Sequence, residues 1–133
     1  MKSYTDLEQS KKLETLLSIE SADMHYSTWT ILDGEFIVST NQGDTIEDLR
    51  EDYGNQIIPC WSLAALLDIL ESKIDGEEGE TYQLNIEKDG TQWYVWYKER
   101  YDEADPIETK KSTEELIDAC YEIILKLHEL KML

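Results

Sequence analysis

Basic residues are scarce in this chain of 133 residues. Twelve lysines and arginines stand against thirty aspartates and glutamates, so the formal net charge is −18 at pH 7. Ordinary nucleic-acid binding depends on Lys and Arg side chains that neutralise phosphates. The charge balance therefore excludes direct nucleic-acid binding of that kind, and it equally disfavours attachment to an anionic membrane surface.

Cysteines and long apolar runs are also scarce. The two cysteines, Cys60 and Cys120, lie among apolar neighbours without a Cys-x-x-Cys spacing, which predicts two buried free thiols. Free thiols indicate a cytoplasmic protein. The longest strongly apolar run, residues 63–70, is interrupted by Asp68 and is far shorter than the roughly 20 residues of a membrane helix. The polar amino end predicts no secretory signal peptide.

Few residues could carry catalysis. The only histidines are His25, in a predicted strand, and His128, near the end of the last predicted helix, and nothing basic surrounds either cysteine. A Cys–His nucleophile pair is therefore not expected. No glycine-rich loop precedes a helix, and acidic clusters such as Asp102, Glu103 and Asp105 do not fit an EF-hand loop. We predict a protein that is not an enzyme and that needs no metal or other cofactor.

Capping residues and apolar spacing predict the first helices. Thr5 and Glu8 have the spacing of a capping box and open a helix over residues 6–18. A short helical turn is expected at residues 46–50. Ser62 can cap a helix whose leucines have the spacing of a buried face, namely Leu63, Leu66, Leu67 and Leu70.

The last helix has the strongest pattern in the chain. Ser112 and Glu115 form a second capping box, and the helix that follows should run almost to Leu133. Its apolar residues recur with a nearly unbroken helical period, which predicts a wide buried face. The residues on that face are Leu116, Ile117, Cys120, Ile123, Ile124, Leu127 and Leu130.

Two Asp-Gly pairs, each between runs of strand-forming residues, predict two β-hairpins with type I′ turns. Pairing outward from Asp33–Gly34 sets Ile31 against Phe36 and Trp29 against Val38. Pairing outward from Asp89–Gly90 makes one whole face apolar. The predicted pairs of this second hairpin are Ile86 with Trp93, Leu84 with Val95, and Tyr82 with Tyr97.

These elements predict an α+β fold with the order α-ββ-α-ββ-α. The simplest arrangement is a four-stranded antiparallel sheet formed by the two hairpins, with about three helices packed on it. The length of the chain corresponds to a single domain over residues 1–133.

The outer face of the second hairpin is the first candidate binding surface. In the predicted register Tyr94 and Trp96 point outward, with Gln83 and Asn85 across from them. Another segment or a second copy of the chain could cover the two rings. If they are exposed, they form an aromatic patch with a polar rim, which is typical of an interaction surface. We predict a small acidic protein-interaction module with an unidentified protein partner, present as a monomer or homodimer.

The acidic residues provide an alternative function. Residues 41–80 contain eleven acidic and two basic side chains, and such a surface could occupy the basic groove of a DNA- or RNA-binding enzyme as a nucleic-acid mimic. The acidity could equally serve only to keep the protein soluble. The candidate residues of this acidic face are Glu47, Asp48, Glu51, Asp52, Glu77, Glu78 and Glu80.

Two stretches carry a resemblance. Pro-Cys-Trp-Ser-Leu-Ala-Ala-Leu-Leu at residues 59–67 and the ending at residues 118–133, with Lys-Leu-His-Glu-Leu at 126–130, resemble small uncharacterised proteins of gut Bacteroidetes-type bacteria and of their phages or mobile elements. The resemblance implies a cellular setting in which acidic proteins sometimes inhibit defence or host enzymes. It implies no activity, cofactor or site residue.

Overall fold

A computed structural model describes residues 1–27, 35–54, 56–109 and 113–133 of the chain. These residues form four α-helices and six β-strands, together with a short 3₁₀ turn at Ile19–Ser21. In chain order the elements are α1 (Leu7–Glu14), β1 (Met24–Ser27), β2 (Ile37–Thr40), α2 (Ile46–Tyr53), β3 (Ile58–Cys60), α3 (Leu63–Ile69), β4 (Lys73–Asp75), β5 (Thr81–Asp89), β6 (Gln92–Glu99) and α4 (Leu116–Glu129).

Contacts between residues group the chain into two compact units. One unit is Ser3–Ala65, and the other is Met1–Lys2 together with Leu66–Leu133. Each unit has its own sheet and its own buried side chains. The expectation that residues 1–133 form a single domain stays a prediction.

The strands of the described residues form two three-stranded antiparallel sheets, with the orders β2-β1-β3 and β4-β5-β6. The α+β class is confirmed, but the predicted four-stranded sheet with about three helices is wrong. A third strand of only three residues completes each sheet. β3 pairs with β1, and β4 pairs with β5. Strands this short contain too few residues to show the alternation from which strands are predicted.

β3 lies at the edge of its sheet and has Pro59 at its centre, opposite His25 of β1. Proline has no backbone N–H to donate to a ladder, and it is therefore confined to edge strands and bulges. The amino end of the chain runs beside the end of this strand, where the Thr5 N–H donates to the Trp61 carbonyl oxygen at 2.9 Å.

α1 begins with a capping box, but Asp6 is the N-cap residue. The Asp6 carboxylate accepts from the Gln9 N–H at 2.8 Å, and the Gln9 side chain accepts from the Asp6 N–H at 3.0 Å. Thr5 is fully buried, and its hydroxyl hydrogen-bonds to that of Ser10 at 2.8 Å. The predicted capping box of Thr5 and Glu8 is therefore wrong, because the Thr5 hydroxyl is bonded inside the core.

Helix lengths in the Ser3–Ala65 unit also differ from the prediction. α1 ends at Glu14 rather than at Ser18, and the predicted turn at residues 46–50 extends to Tyr53 as α2. The buried apolar side chains of the unit come from α1 and α2, from β1 and β3, from the residues beside β3, and from the residue after the 3₁₀ turn. They are Leu13, Ala22, Tyr26, Ile46, Leu49, Ile57, Ile58, Cys60 and Trp61.

β1 and β2 pair in a register that differs from the prediction. Val38 lies opposite Tyr26, whereas a two-residue turn at Asp33–Gly34 would place it opposite Trp29. The predicted partner of Val38 is therefore wrong by three residues. The predicted turn at Asp33–Gly34 lies within residues 28–34, which are outside the described residues. Ile31, the predicted partner of Phe36, lies there too.

The burial of Tyr26 explains this register. Its hydroxyl donates to the Thr5 carbonyl oxygen at 2.8 Å, and its ring meets that of Phe36 edge-on at 6.5 Å between centroids. Tyr26 also belongs to an apolar cluster with Ile58 and Cys60. Contacts to residues distant in sequence thus decide the pairing, and a turn motif alone does not show them.

Ser62 caps α3 as predicted. Its hydroxyl accepts from the Ala65 N–H at 3.1 Å and is itself bonded to the Asp23 carboxylate, which also accepts the Ser62 N–H at 2.9 Å. Leu66 and Leu70, one helical turn apart, are buried. Leu63 and Leu67 are only partly buried, so the leucine pattern predicted two of the four residues of the buried face correctly.

α4 supplies more buried side chains than any other element of the Leu66–Leu133 segment. The predicted residues Leu116, Ile117, Cys120, Ile123, Ile124 and Leu127 are all buried. Leu130 follows the end of the helix at Glu129 and is 43% exposed. Glu115 is the N-cap residue and makes no side-chain capping bond; its carboxylate instead accepts from the Lys2 N–H at 2.9 Å. Ser112, the other residue of the predicted capping box, lies outside the described residues.

Candidate functional site

The turn of the β5–β6 hairpin determines which side chains face each other. Asp89 pairs with Gln92, so Gly90 and Thr91 form the loop. Gly90 has a φ of 61° and Thr91 has no positive φ, which is the arrangement of a type II′ turn with glycine in its first position. The predicted turn at Asp89–Gly90 is therefore wrong by one residue. Every predicted pair shifts by two, so that Lys88 lies opposite Trp93, Ile86 opposite Val95, Leu84 opposite Tyr97 and Tyr82 opposite Glu99.

A shift of two residues leaves the two faces of the hairpin as predicted, because side chains alternate with a period of two. Val95 and Tyr97 are buried on the inner face. Tyr94 and Trp96 lie on the outer face, where Tyr94 is 41% exposed and Trp96 is half-buried.

The shift does change which residues lie across from the two rings. Asn85 lies opposite Trp96, and Glu87 lies opposite Tyr94. The predicted position of Asn85 opposite Tyr94 and of Gln83 opposite Trp96 is therefore wrong. A carboxylate, not an amide, is the direct neighbour of the exposed tyrosine.

An open cleft of about 270 Å³ lies on this outer face. We call it the aromatic groove. Two aromatic rings and three carboxylates line it: Tyr94, Trp96, Glu87, Asp89 and Glu108. Sequence reasoning found the two rings and missed the three carboxylates.

Glu108 reaches the groove because the chain after β6 turns back along that strand. The Ile107 N–H donates to the Tyr97 carbonyl oxygen, and the Tyr97 N–H donates to the Ile107 carbonyl oxygen, both at 2.9 Å. Ile107 is buried, and Glu108, the next residue, is exposed. A single bridge of this kind has no periodic signal in the sequence from which it could be predicted.

The carboxylates of the aromatic groove have no cationic partner in the described part of the chain. Ion pairs in that part of the chain include Lys2–Asp118, Arg50–Glu14 and Lys98–Asp102. None of them includes a groove carboxylate, and no hydrogen bond joins Glu87, Asp89 or Glu108 to another described side chain. The groove therefore combines exposed aromatic surface with three carboxylates that no described cation neutralises.

A second cleft, of about 250 Å³, lies beside His25 in the Ser3–Ala65 unit. The His25 Nδ1 atom is 2.8 Å from Asn41 Oδ1, and the Asn41 amide nitrogen donates to the Ala22 carbonyl oxygen at 2.9 Å. Because Oδ1 can only accept, Nδ1 carries the proton and donates. Among the described residues, no serine or cysteine side chain hydrogen-bonds to the His25 ring, so the arrangement orients a histidine without activating a nucleophile.

A third cleft, of about 500 Å³, lies between the β4–β5 connection and the turn after β6, where Glu78, Glu80, Glu99 and Arg100 contribute to its lining. Glu99 is only 3% exposed. Its carboxylate accepts from the backbone N–H groups of Tyr101 at 2.8 Å and of Glu103 at 2.9 Å. The buried carboxylate in this cleft thus closes the turn that follows β6.

Both cysteines are buried and free, as predicted. Burial raises the pKa of the Cys60 thiol, which also donates to the Thr5 carbonyl oxygen at 3.4 Å. Burial alone raises the pKa of Cys120 to about 12. The thiolate is the nucleophilic form of cysteine, and at neutral pH both side chains are therefore unreactive thiols.

The residues of the predicted acidic face fall into two groups. Glu47, Asp48, Glu51 and Asp52 are exposed on α2 in the Ser3–Ala65 unit. Glu77, Glu78 and Glu80 lie in the β4–β5 connection of the other unit, where Glu77 and Glu78 are exposed. Asp48 also caps α2, because its carboxylate accepts the Thr45 N–H.

Within residues 1–27, 35–54, 56–109 and 113–133, no helix is long and apolar enough to cross a membrane. The same residues contain no group of three or more His, Cys, Asp or Glu side chains placed to hold a metal ion. Asp102, one of the residues of the acidic cluster after β6, lies 3.6 Å from the Lys98 ammonium group.

Comparison with known proteins identifies no relative. No protein-family model matches the chain, and neither a curated protein nor a solved structure matches it. The resemblance to small proteins of gut Bacteroidetes-type bacteria and their mobile elements stays a prediction.

Proposed function

We propose that this protein is a non-enzymatic protein-interaction module and that the aromatic groove is its binding surface. The observation that carries the proposal is the pair of rings, Tyr94 and Trp96, which line an open cleft on the outer face of a sheet. Exposed aromatic surface with a polar rim is characteristic of protein interfaces, and tyrosine and tryptophan are enriched among the residues that contribute most binding energy.

The size of the groove favours a protein partner over a small molecule. Pockets for small molecules usually enclose about 300–1,000 Å³ and are mainly apolar. The groove has about 270 Å³ and is open, with three carboxylates among its five lining residues. A cleft of this kind suits one side chain of a larger partner.

The state of the nucleophiles supports a non-enzymatic function. Burial raises the pKa of Cys60 and Cys120, and the ring of His25 is hydrogen-bonded to an amide rather than to a hydroxyl or thiol. Two buried free thiols also suit a reducing compartment, so we place the protein in the cytoplasm as part of the same proposal.

Replacing Tyr94 and Trp96 together by alanine is expected to abolish partner capture while leaving the fold intact. Truncating a central aromatic pair at an interface costs about 2 kcal/mol or more, which corresponds to a roughly 30-fold loss of affinity. The measurement is quantitative affinity capture from a lysate of the source cells, paired with thermal unfolding of each variant.

Tyr101→Ala is the matched control, because Tyr101 is 67% exposed and does not line the aromatic groove. It should capture the same partners as the unchanged protein. The single variant Tyr94→Ala guards against unfolding, since Tyr94 is exposed and Trp96 is half-buried. Equal capture by the unchanged protein and by the double variant, with both folded, would contradict the proposed function.

An acidic nucleic-acid mimic is the second candidate, and the exposed carboxylates of α2 favour it. Glu47 and Glu51 are one helical turn apart, as are Asp48 and Asp52. On this alternative, Glu47→Gln with Glu51→Gln should weaken capture of a basic nucleic-acid enzyme, and capture should fall steeply between low and high salt, because the attraction is electrostatic. Salt-independent capture that survives both substitutions would count against mimicry. Asp48 is left unchanged in this test because it caps the helix.

A further inference from the structure

β5 lies between β4 and β6 and is much longer than β4. Part of β5 is therefore paired on one side only. β4 pairs with Thr81–Gln83, and one further bond joins the Leu84 N–H to the Ser72 carbonyl oxygen at 2.9 Å. β6 continues along the other side of β5 as far as Asp89. Among the described strands, the part of β5 after Leu84 is thus paired on one side only and forms an edge.

The backbone groups at this edge follow from the ladder geometry. Opposed residues of an antiparallel pair alternate between bonded and non-bonded pairs. The Thr81 carbonyl oxygen accepts from the N–H of Arg100, the residue after β6, whereas the Leu84 N–H donates to the carbonyl oxygen of Ser72, the residue before β4. Odd-numbered residues of β5 therefore point their N–H and C=O groups toward β6. Even-numbered residues point theirs away from β6. Ile86 and Lys88 therefore present these groups at the open edge, where no described residue bonds to them.

The open edge and the aromatic groove are adjacent. Glu87 and Asp89 are the outward-facing residues of the edge segment, and both line the groove. A strand placed beside this segment would have its own outward-facing side chains next to those two carboxylates, since paired side chains lie about 4.5–5.5 Å apart at Cβ. A long side chain from that strand could extend over Glu87 toward the Tyr94 ring.

We propose that the protein binds an extended, arginine-bearing segment of its partner, which adds to the open edge of β5 as an antiparallel strand and places an arginine in the aromatic groove. This inference rests on the proposed function. Strand addition supplies main-chain hydrogen bonds, and pockets for alternate side chains supply specificity.

Charge and ring chemistry select arginine as the occupant. Three carboxylates line the groove, and none of them pairs with a cation of the described residues. This lining favours a cation and repels phosphate groups. A guanidinium stacks on aromatic faces and bonds carboxylates with two parallel N–H groups, which a lysine ammonium cannot do.

The same charges oppose pairing of two copies of this chain through the open edge. Two β5 edges side by side would bring Glu87 and Asp89 of each copy together on one face, and like charges directly opposite each other destabilise a sheet. A partner with the opposite charge removes this repulsion.

The test uses the full chain and a synthetic seven-residue peptide with arginine at odd and valine at even positions, titrated by calorimetry at low salt. The unchanged protein should bind it, and a peptide with citrulline in place of each arginine should bind at least tenfold more weakly. Glu87→Gln and Glu108→Gln should each weaken binding roughly two- to fivefold, the range of an exposed charge pair. Glu20→Gln is the matched control, because Glu20 is exposed and belongs to neither the groove nor the acidic face. It makes the same charge change and should leave binding unchanged.

Two further peptides test strand addition. In an antiparallel pair, the residues opposite Ile86 and Lys88 exchange both backbone bonds with them and share their face, so these are the valines. N-methylation of the valines should abolish binding, whereas N-methylation of the arginines should leave it within about twofold. Equal binding of the two methylated peptides would overturn strand addition, and equal binding of the citrulline peptide would overturn the choice of arginine.

Failure of this inference is distinguishable from failure of the proposed function. If the arginine peptide does not bind but Tyr94→Ala with Trp96→Ala still abolishes partner capture, the groove is an interaction surface for a different partner and the arginine strand is wrong. If capture survives the double variant, the proposed function fails as well.

Discussion

Replacing Trp61 by alanine is expected to lower the free energy of unfolding by about 3–5 kcal/mol, the range measured for large aromatic residues in protein cores. Trp61 is fully buried in the Ser3–Ala65 unit, and its indole N–H donates to the Ser21 hydroxyl at 2.9 Å. Its backbone N–H donates to the Thr5 hydroxyl at 3.2 Å. The substitution therefore removes a large apolar volume and leaves the Ser21 hydroxyl without this partner. The loss is a large fraction of the roughly 5–15 kcal/mol that stabilises a typical domain.

Urea unfolding followed by far-ultraviolet circular dichroism measures this loss. Ser21→Ala is the control for the hydrogen bond and should cost only about 1 kcal/mol. Trp96→Ala removes a half-buried tryptophan on the hairpin and should cost less than Trp61→Ala. A loss below 1 kcal/mol for Trp61→Ala would show that Trp61 does not form part of the core.

Raising the pH from about 9 to about 12 is expected to destabilise the folded protein by an amount on the order of 5 kcal/mol. Burial raises the pKa of Cys120 from 9.0 to about 12, and burial followed by the nearby Glu71 charge raises that of Tyr97 from 10.0 to about 12. In the unfolded chain both groups lose their protons first. Their stabilising contribution is therefore complete below pH 9 and is lost as the pH rises toward 12.

The variant Tyr97→Phe separates the two groups. It keeps the buried ring but removes the hydroxyl that donates to the Glu71 carbonyl oxygen at 2.6 Å, so it should cost about 1 kcal/mol at pH 8. It should also make the fall in stability above pH 10 shallower than in the unchanged protein. Urea midpoints at pH 8, 9.5 and 11, with recovery checked at pH 8, give the comparison. A midpoint that is equal at pH 8 and pH 11 in the unchanged protein would refute the prediction.

The faces of the second hairpin could be predicted from the sequence, and its register could not. Alternation of apolar and polar residues assigns Val95 and Tyr97 to one face and Tyr94 and Trp96 to the other, and any shift by an even number of residues preserves that assignment. The register depends on which loop position Gly90 occupies, and an Asp-Gly pair suits more than one turn type. Because the predicted turn is wrong by one residue, the predicted neighbour of Tyr94 is the amide of Asn85, whereas the actual neighbour is the carboxylate of Glu87.

The elements that the sequence did not reveal are those held in place by distant contacts. β3 has three residues with a proline at its centre, and its strand conformation depends on the neighbouring β1. Glu108 joins the aromatic groove through one bridge between Ile107 and Tyr97. α4 was predicted best: six of the seven residues of its predicted buried face are buried, all except Leu130, because that face repeats along the chain itself.

The contacts of Lys2 have a consequence for the order of folding. Its N–H bonds to Glu115 and its ammonium group pairs with Asp118 at 2.7 Å, across separations of 113 and 116 residues. Closing a loop of that length in an unfolded chain costs about 2 kcal/mol more than closing one of ten residues, whereas the hairpin at Gly90 closes over two. The amino end should therefore attach to α4 late, after shorter loops have closed, and it should be among the first segments to detach when the folded protein fluctuates.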